Sequence, residues 1–526
     1  MNHHHSSVVS KLPPEILSTI FEVYTSDALP PSLQDEIQFQ FPQHNILPIP
    51  LVLSHVCHRW RQVAFSTPQI WTTFTISLDR CNGSPAEQDI IYAWISRTRN
   101  HPLTIHLRSS LEEDYCTGAL PKSSHLPVLQ VLASSFRQWH HFSARVPTYV
   151  LEYLGNQVED IPLIDTVGIR VQALPLQMPL DTPITNQLWK AVTTMRIEHI
   201  STDECVTLIS STPNLVTCVF HDIDTGGDEV SWHSTQRVVE HPKLQYLTYD
   251  SCECCHIFYR LKLSNLKSMI CVSKLFLEED WSTILPVFFA NSGLEKLEVL
   301  TLPSDTFTSD QLESLLSMTP TITHFSLICT GDYVEVVNGL LEHLERTAVI
   351  NSSQFPRAFL PNLTSLEFEV HEPYFPWEKV APCFAHVLVP NSATEFKYRP
   401  LSTGTNTNAI TGGLILPNLR VLEISSGTKN FPWKLVPKCF GIGPLPDGTP
   451  ERNIFRRRPL SIFRVINNTT SENSEVDGTS QHLIPPDILK ELIALKHEGV
   501  EIVFRHEDGE DLLARSMVDA GLDYAI

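Results

Sequence analysis

Thiols and an imidazole crowd together in Ser251-Cys252-Glu253-Cys254-Cys255-His256. Thiolate sulfur and imidazole nitrogen are the ligands zinc prefers, so a metal site is one chemistry this run offers. A structural zinc site normally draws on a second, distant pair of ligands. Here Cys271 is the only further thiol nearby, and no ligand stands beside it. Reduced cysteines at a junction between repeats are therefore the expectation, with no metal and no cofactor. Hydrolytic and phosphoryl-transfer chemistry has less support still. No Gly-rich phosphate loop ends in Lys-Ser/Thr, no Gly-x-Ser-x-Gly elbow occurs, and His497-Glu498 lacks the second histidine of a zinc helix. Glu278, Glu279 and Asp280 read as a solvated acidic face. The chain is expected not to be an enzyme.

Composition narrows the partners. A chain of 526 residues exceeds what one hydrophobic core holds, so several domains or a repeat array must bury its 42% of apolar residues. Lys+Arg number 38 against 59 Asp+Glu, a formal net charge of −21. Such a balance argues against nucleic acid or an anionic membrane surface as the main partner. Twelve cysteines without a framework spacing suit a reducing compartment, so a cytoplasmic and/or nuclear location is expected. The opening residues carry no apolar run of signal-peptide length. Even the apolar stretch from Ile284 to Ala290 is far short of the roughly 20 residues a membrane span needs.

Two helices dominate residues 1–75. Pro13 and Pro14 set up the first turn of one, Glu15 suits its positive dipole end, and Ile16, Leu17, Ile20, Phe21 and Tyr24 recur at helical spacing. The spacing predicts a second helix from near Pro50, with Val52, Leu53, Val56, Cys57, Trp60, Val63 and Ala64 on one broad apolar stripe. Thr67-Pro68 stops it, because proline disfavours helical backbone at the residue before it. Between the helices, Ser26 to Pro48 is rich in Pro and Gln and reads as a loop insertion.

From about residue 72 the pattern becomes helix then strand, repeated. Ile90, Ile91, Trp94 and Ile95 mark a helix, and Leu103, Ile105 and Leu107 alternate as a strand. Leu126, Leu129 and Leu132, followed by the extended Trp139 to Val146, form a similar unit. A short phrase then recurs: Pro213-Asn214-Leu215, Pro242-Lys243-Leu244, Ser264-Asn265-Leu266, Ser292-Gly293-Leu294, Pro320-Thr321-Ile322, Pro361-Asn362-Leu363 and Pro417-Asn418-Leu419. Its third residue advances by 29, 22, 28, 28, 41 and 56 positions. The shorter steps lie in the leucine-rich-repeat range, and the longer two need insertions or undetected degenerate repeats. One helix–strand unit cannot bury its own apolar face, so neighbours must stack. The expected fold is α/β: a small all-helical module over 1–75, then a leucine-rich-repeat-like solenoid over 76–526 with parallel strands on its concave face. A strand over Arg457 to Val465, a polar loop over Asn467 to Ser480, a helix from Pro486 ended by Gly499, and a strand at Val500, Ile502 and Phe504 carry the array to the tail.

The helical module has a specific resemblance. Leu12-Pro13-x-Glu15-Ile16-Leu17-x-x-Ile20-Phe21, then Val52-Leu53-Ser54-His55-Val56-Cys57-His58-Arg59-Trp60-Arg61-x-x-Ala64, then Pro68-x-x-Trp71, resembles an F-box. It is similar in particular to the F-box-like families expanded in fungi. The match covers roughly residues 11–78, and it departs from the compact F-box in carrying an insertion of more than 20 residues. Tyr92-x-Trp94-Ile95-x-Arg97 and Pro102-Leu103-x-Ile105 resemble the first repeat unit of those proteins.

The resemblance implies the partners. The F-box would bind the small adaptor that links it to a cullin scaffold in an SCF-type ubiquitin ligase, and the repeats would hold a protein substrate. Leu12, Pro13, Ile16, Leu17, Ile20, Val52, Leu53, Val56, Cys57, Trp60 and Trp71 match the family's positions and are the candidate adaptor-binding residues. An alternative is a repeat scaffold that binds the adaptor without ubiquitin transfer. An acidic solenoid would favour a target with basic patches, through steering more than through final affinity.

Overall fold

The computed structural model describes residues 12–27, 48–81, 83–109, 124–146, 150, 153–154, 157, 164, 166–171, 189–198, 200–223, 238–251, 255–273, 281–304, 306–329, 334–349, 359–370, 375–384, 387–391, 395–399, 418–426, 433–436, 460–467, 483–506 and 511–521. Two compact units divide the chain, Met1–Gly226 and Gly227–Ile526.

The first unit opens with helices α1 (Pro14–Asp27), α2 (Ile49–Val56) and α3 (His58–Ser66), closed by a 3-10 turn at Pro68–Trp71. Sequence spacing predicts one helix where α2 and α3 stand. The chain instead breaks at Cys57, whose φ of −159° and ψ of 170° are extended. Two side chains hold the break. The Cys57 sulfur accepts the Trp60 N–H at 3.4 Å, capping α3, and Arg61 Nε donates to the Ser54 carbonyl at 3.0 Å, serving one of the orphan acceptors at the end of α2. The turn also splits the expected stripe. Leu53, Val63 and Ala64 point into the core, while Val52 and Val56 point out.

Strands β1 (Thr73–Ser77), β2 (Leu103–Arg108), β3 (Trp139–Val146), β4 (Thr166–Val171), β5 (Thr194–Glu198) and β6 (Thr217–Ile223) follow, with α4 (Pro85–Arg97) before β2, α5 (Leu126–Ser134) before β3 and α6 (Thr202–Ser211) before β6. They pair in parallel in chain order. Alternation does the work that period-2 patterning promises: Leu103, Ile105 and Leu107 are buried while Thr104, His106 and Arg108 are partly exposed. On α4 only Trp94 is fully buried, and Ile90 lies out in solvent. Helix α6 begins with a capping box, Ser201 and Glu204 each bonding the other's backbone N–H.

The second unit repeats the plan. The short β7 (Val239–Glu240) pairs with β9 (Leu261–Lys262). Strands β8 (Tyr246–Ser251), β10 (Ser268–Ser273), β11 (Val299–Pro303), β12 (His324–Cys329), β13 (Ser365–Val370), β16 (Val421–Ser426), β17 (Ile462–Asn467) and β18 (Glu501–His506) are parallel neighbours in that order. Helices α7 (Trp281–Ser292) and α8 (Ser309–Ser317) precede β11 and β12. The two long sequence steps are insertions, because β12 pairs directly with β13 and β13 with β16. The first holds α9 (Val334–Val349); the second holds α10 (Trp377–Phe384) and a hairpin of β14 (Val387–Asn391) with β15 (Glu395–Arg399).

The recurring phrase has two structural jobs. Its third residue always enters the core: Leu215, Leu244, Leu266, Leu294, Ile322, Leu363 and Leu419 are all buried. Where the middle residue is asparagine, it stitches its turn to the chain of the turn before. Asn362 Nδ2 donates to the Pro320 carbonyl at 3.0 Å, and Asn265 Nδ2 donates to the Pro242 carbonyl at 2.5 Å. This is a leucine-rich-repeat-like α/β solenoid in each unit.

At the tail, α11 (Pro486–His497) buries Ile488, Leu489, Leu492 and Leu495, and Gly499 takes the positive φ, 89°, that ends it. A further helix, α12 (Leu512–Asp519), follows β18 and escapes sequence reading because only two turns carry its pattern. Asp511 caps it, accepting the N–H of Leu513 and Ala514 at 3.0 and 3.1 Å. Of the expected insertion Ser26 to Pro48, Ser26 and Asp27 instead extend α1, while 28–47, most of the polar loop (468–480) and Cys252, Glu253 and Cys254 lie outside the described residues. Among the described residues, no three metal-ligating side chains converge and no helix is long and apolar enough to cross a membrane.

Candidate docking face

The eleven candidate residues fall into three groups. Leu17, Leu53 and Trp71 are buried within the chain. Leu12 and Trp60 are half-buried. Pro13, Ile16, Ile20, Val52, Val56 and Cys57 are exposed.

Helix geometry explains the split on α1. Residues four apart share a face, so Leu17 and Phe21 turn inward together while Ile16 and Ile20 turn outward. Val23 and Tyr24, one turn beyond Ile20, join the outer group, and the four are between 46% and 56% exposed. Neither Val23 nor Tyr24 was among the candidates, although Tyr24 sits at the i+8 position from Ile16 that should have signalled it. On α2, Val52 and Val56 are likewise an outward pair four residues apart.

The inner face is already satisfied. The Phe21 ring lies 5.0 Å from the Trp60 ring, and Ser18 and Thr67 share a hydroxyl–hydroxyl bond of 2.5 Å. Arg59 donates to the Leu12 carbonyl, tying the Leu-Pro start of α1 to α3. Trp71 is fully buried: its Nε1 donates to the Ala64 carbonyl at 2.7 Å, and its own carbonyl accepts from Trp94 Nε1 at 2.7 Å. The two indoles meet edge to face at 4.7 Å. The Arg97 guanidinium stands 4.2 Å from the Phe65 ring and 4.6 Å from the Trp71 ring. Trp71 therefore joins the helical module to the first repeat rather than offering itself to a partner.

The Cys255 and Cys271 side chains are buried. Burial pushes the Cys271 thiol well above its usual range, so it is a poor nucleophile at neutral pH. On the second unit's sheet, Glu367 and Glu423 are register partners on β13 and β16, and Arg464 on β17 lies 3.4 Å from Glu423 and 3.0 Å from Glu501.

No protein-family model matches the chain, and no curated protein matches it. Among solved structures, the complex of TLR13 with ssRNA13 superposes with a TM-score of 0.25 at 11% identity, covering 77% of this chain and 62% of that one. The chain thus spans less than two thirds of that neighbour's length. A leucine-rich-repeat protein of Leptospira interrogans superposes with a TM-score of 0.27 at 11% identity, covering 84% and 97%. Neither superposition is close enough to assign anything, and the fold stands on the strand pairing of this chain.

Proposed function

We propose that this chain is the substrate-recognition subunit of an SCF-type cullin–RING ubiquitin ligase. Its helical module is read as the F-box that binds the adaptor, and its repeats as the holder of a protein target. The observation that carries the reading is the outward apolar face of α1, Ile16, Ile20, Val23 and Tyr24, on a module whose inward face is already filled by Leu17, Phe21 and Trp71. Four large apolar side chains on one face of a short helix cost solvation unless a partner covers them.

The chain supplies no chemistry of its own in this reading. It raises the effective concentration of a target lysine at the ubiquitin carrier, making their encounter near-intramolecular. It works in a reducing compartment, the cytoplasm and/or the nucleus. The net charge of −21 suits a target with basic patches, through steering more than through final affinity.

The test is co-purification of the full chain with adaptor and cullin, against an Ile16→Ser/Ile20→Ser variant whose thermal midpoint is checked in parallel. The parent should bring down both partners, and the variant should lose them by at least about tenfold. Recovery of the adaptor without cullin points instead to a scaffold without ubiquitin transfer. Equal recovery by parent and variant rules out this docking face.

A further inference from the structure

Along the rim of the second unit where its strands begin, five successive turns border an open groove of about 640 Å³. Two rows of side chains line it. The first row is the residue just before each strand: Lys267, Glu298, Thr323, Thr364 and Arg420, ahead of β10, β11, β12, β13 and β16. Backbone bonds string this row together. The Glu298 N–H donates to the Lys267 carbonyl at 2.8 Å, Thr323 to Glu298 at 2.8 Å, Thr364 to Thr323 at 2.7 Å and Arg420 to Thr364 at 2.7 Å. Two residues earlier on four of the turns, Lys296, Thr321, Asn362 and Asn418 form the second row. Between the rows, Leu297, Ile322, Leu363 and Leu419 are buried, so the polar rows stand over an apolar floor.

Most polar groups in these rows reach back to the turn before. Thr321 Oγ1 donates to the Leu297 carbonyl at 2.8 Å and Thr364 Oγ1 to the Thr323 carbonyl at 2.9 Å. The Asn362 and Asn418 amides donate to the Pro320 and Pro361 carbonyls, and Lys296 Nζ donates to Asn265 Oδ1. A hydroxyl that has given up its one hydrogen can only accept, so Thr321 and Thr364 offer a ligand acceptors. Lys267 and Glu298 behave differently. They are neighbours in the row and opposite in sign, a placement in which charges on adjacent strands can pair. Yet neither side chain makes a hydrogen bond or an ion pair among the described residues. The lining as a whole holds Lys267, Lys296 and Arg420 against Glu295 and Glu298, close to neutral within a protein of net charge −21. A purely basic segment therefore does not fit this groove, and a purely acidic one does not either.

We infer that this rim groove docks a helical segment of the target protein whose contacting face carries a basic and an acidic residue one helical turn apart, the basic one on Glu298 and the acidic one on Lys267. The word target rests on the receptor reading above; the groove does not. Spacing favours a helix. Neighbouring strands lie about 4.8 Å apart, and same-side residues of an extended segment about 6.7 Å apart. Side chains at i and i+4 of a helix are about 5–6 Å apart, nearer the step from Lys267 to Glu298. The five turns make four steps, about 19 Å in all. At a rise of 1.5 Å per residue, about thirteen residues of helix cover them. Over the middle turns, the acceptors on Thr321 and Thr364 suit neutral donors such as glutamine amides.

The probe is a labelled helical peptide of about sixteen residues, with Lys and Glu four apart on one face and Gln on the rest of that face. Titrated into the full chain at about 0.1 M salt, it should bind the parent better than its all-Lys and all-Glu counterparts do. The deciding readout is a switch of preference. K267E should weaken the mixed peptide at least about tenfold and favour the all-Lys one, and E298K should weaken it likewise and favour the all-Glu one. Thermal midpoint and adaptor co-purification should stay at the parent's values, because neither side chain bonds to the fold. If either variant unfolds, K267Q and E298Q, which remove a charge without reversing it, should each give a smaller but measurable loss. Equal binding by parent and variants overturns the inference, as do a loss without the switch and failure of the parent to bind. Preference for a single-stranded RNA over the mixed peptide overturns the choice of a protein partner. Binding that appears only in R456Q/R457Q/R458Q makes the chain's own basic run the occupant and overturns it too. Mixed-peptide binding by a parent that brings down no adaptor defeats the receptor reading, and with it the word target, while the groove assignment holds.

Discussion

Asn418 donates its Nδ2 hydrogen to the carbonyl of Pro361 at 2.9 Å, across 57 residues of chain. Both residues belong to the same three-residue phrase, one repeat apart, and both precede strands paired in register, β13 and β16. The bond spans the longest insertion between phrases, so the repeat step is kept in space where it is lost in sequence. The Leu363 and Leu419 side chains, beside these turns, are fully buried.

That stitch is measurable. Asn418→Ala should destabilise the second unit by about 1 kcal/mol, the typical net worth of one hydrogen bond. Asn418→Asp should cost more, because it sets a carboxylate against a carbonyl. Leu419→Ala should cost about 2–5 kcal/mol as a buried truncation. Thermal unfolding of the three variants checks the ranking, and an Asn418→Ala midpoint equal to the parent's counts against the stitch.

On α1, stability and docking should separate residue by residue. Leu17→Ala removes a core side chain and should lower stability by about 2–5 kcal/mol, with adaptor affinity of the folded fraction retained. Ile20→Ser should leave stability within about 0.5 kcal/mol and abolish most adaptor binding. Chemical denaturation paired with a binding titration reads both. Two variants that move both quantities alike contradict the two-faced helix.

Arg97 offers a third test. Its guanidinium, 4.2 Å from Phe65 and 4.6 Å from Trp71, joins α4 to the helical module, and burial lowers its pKa. Arg97→Ala should cost about 1 kcal/mol or more, and Arg97→Lys should recover only part of it, because an ammonium does not stack as a planar group. The urea midpoint of the first unit's transition is the readout.

The Glu367 carboxyl is pushed above its ordinary range by burial first and by Glu423 second, with Glu369 adding and a hydrogen bond with Ser326 opposing. A raised folded pKa means the protonated form is preferred in the fold. Its stabilising contribution is present below the unfolded value, about 4.3, and is lost as pH rises through the folded value. Glu367→Gln should therefore be more stable than the parent at pH 7 and lose that advantage in acid. A variant less stable than the parent at neutral pH overturns this sign.

Sequence alone determined the repeat and its core. Leu103, Ile105 and Leu107 alternate because a strand's side chains alternate, and Leu363 and Leu419 enter the core because each follows a turn that starts a strand. Local periodicity is enough for that, since each repeat meets mainly its neighbours. Tertiary structure decided what periodicity leaves degenerate. Ile16 and Leu17 are adjacent and equally apolar, and only the packing of α1 on α3, through Phe21 and Trp60, sends one outward and the other inward. The break at Cys57 was hidden for the same reason, since Arg61 finds the Ser54 carbonyl only once the chain has turned. The register of the first unit's sheet exists in no window of sequence. Arg108, Arg145 and Arg170 become neighbours only when parallel pairing fixes the register of three strands, and register is set by long-range backbone bonds that no local pattern records.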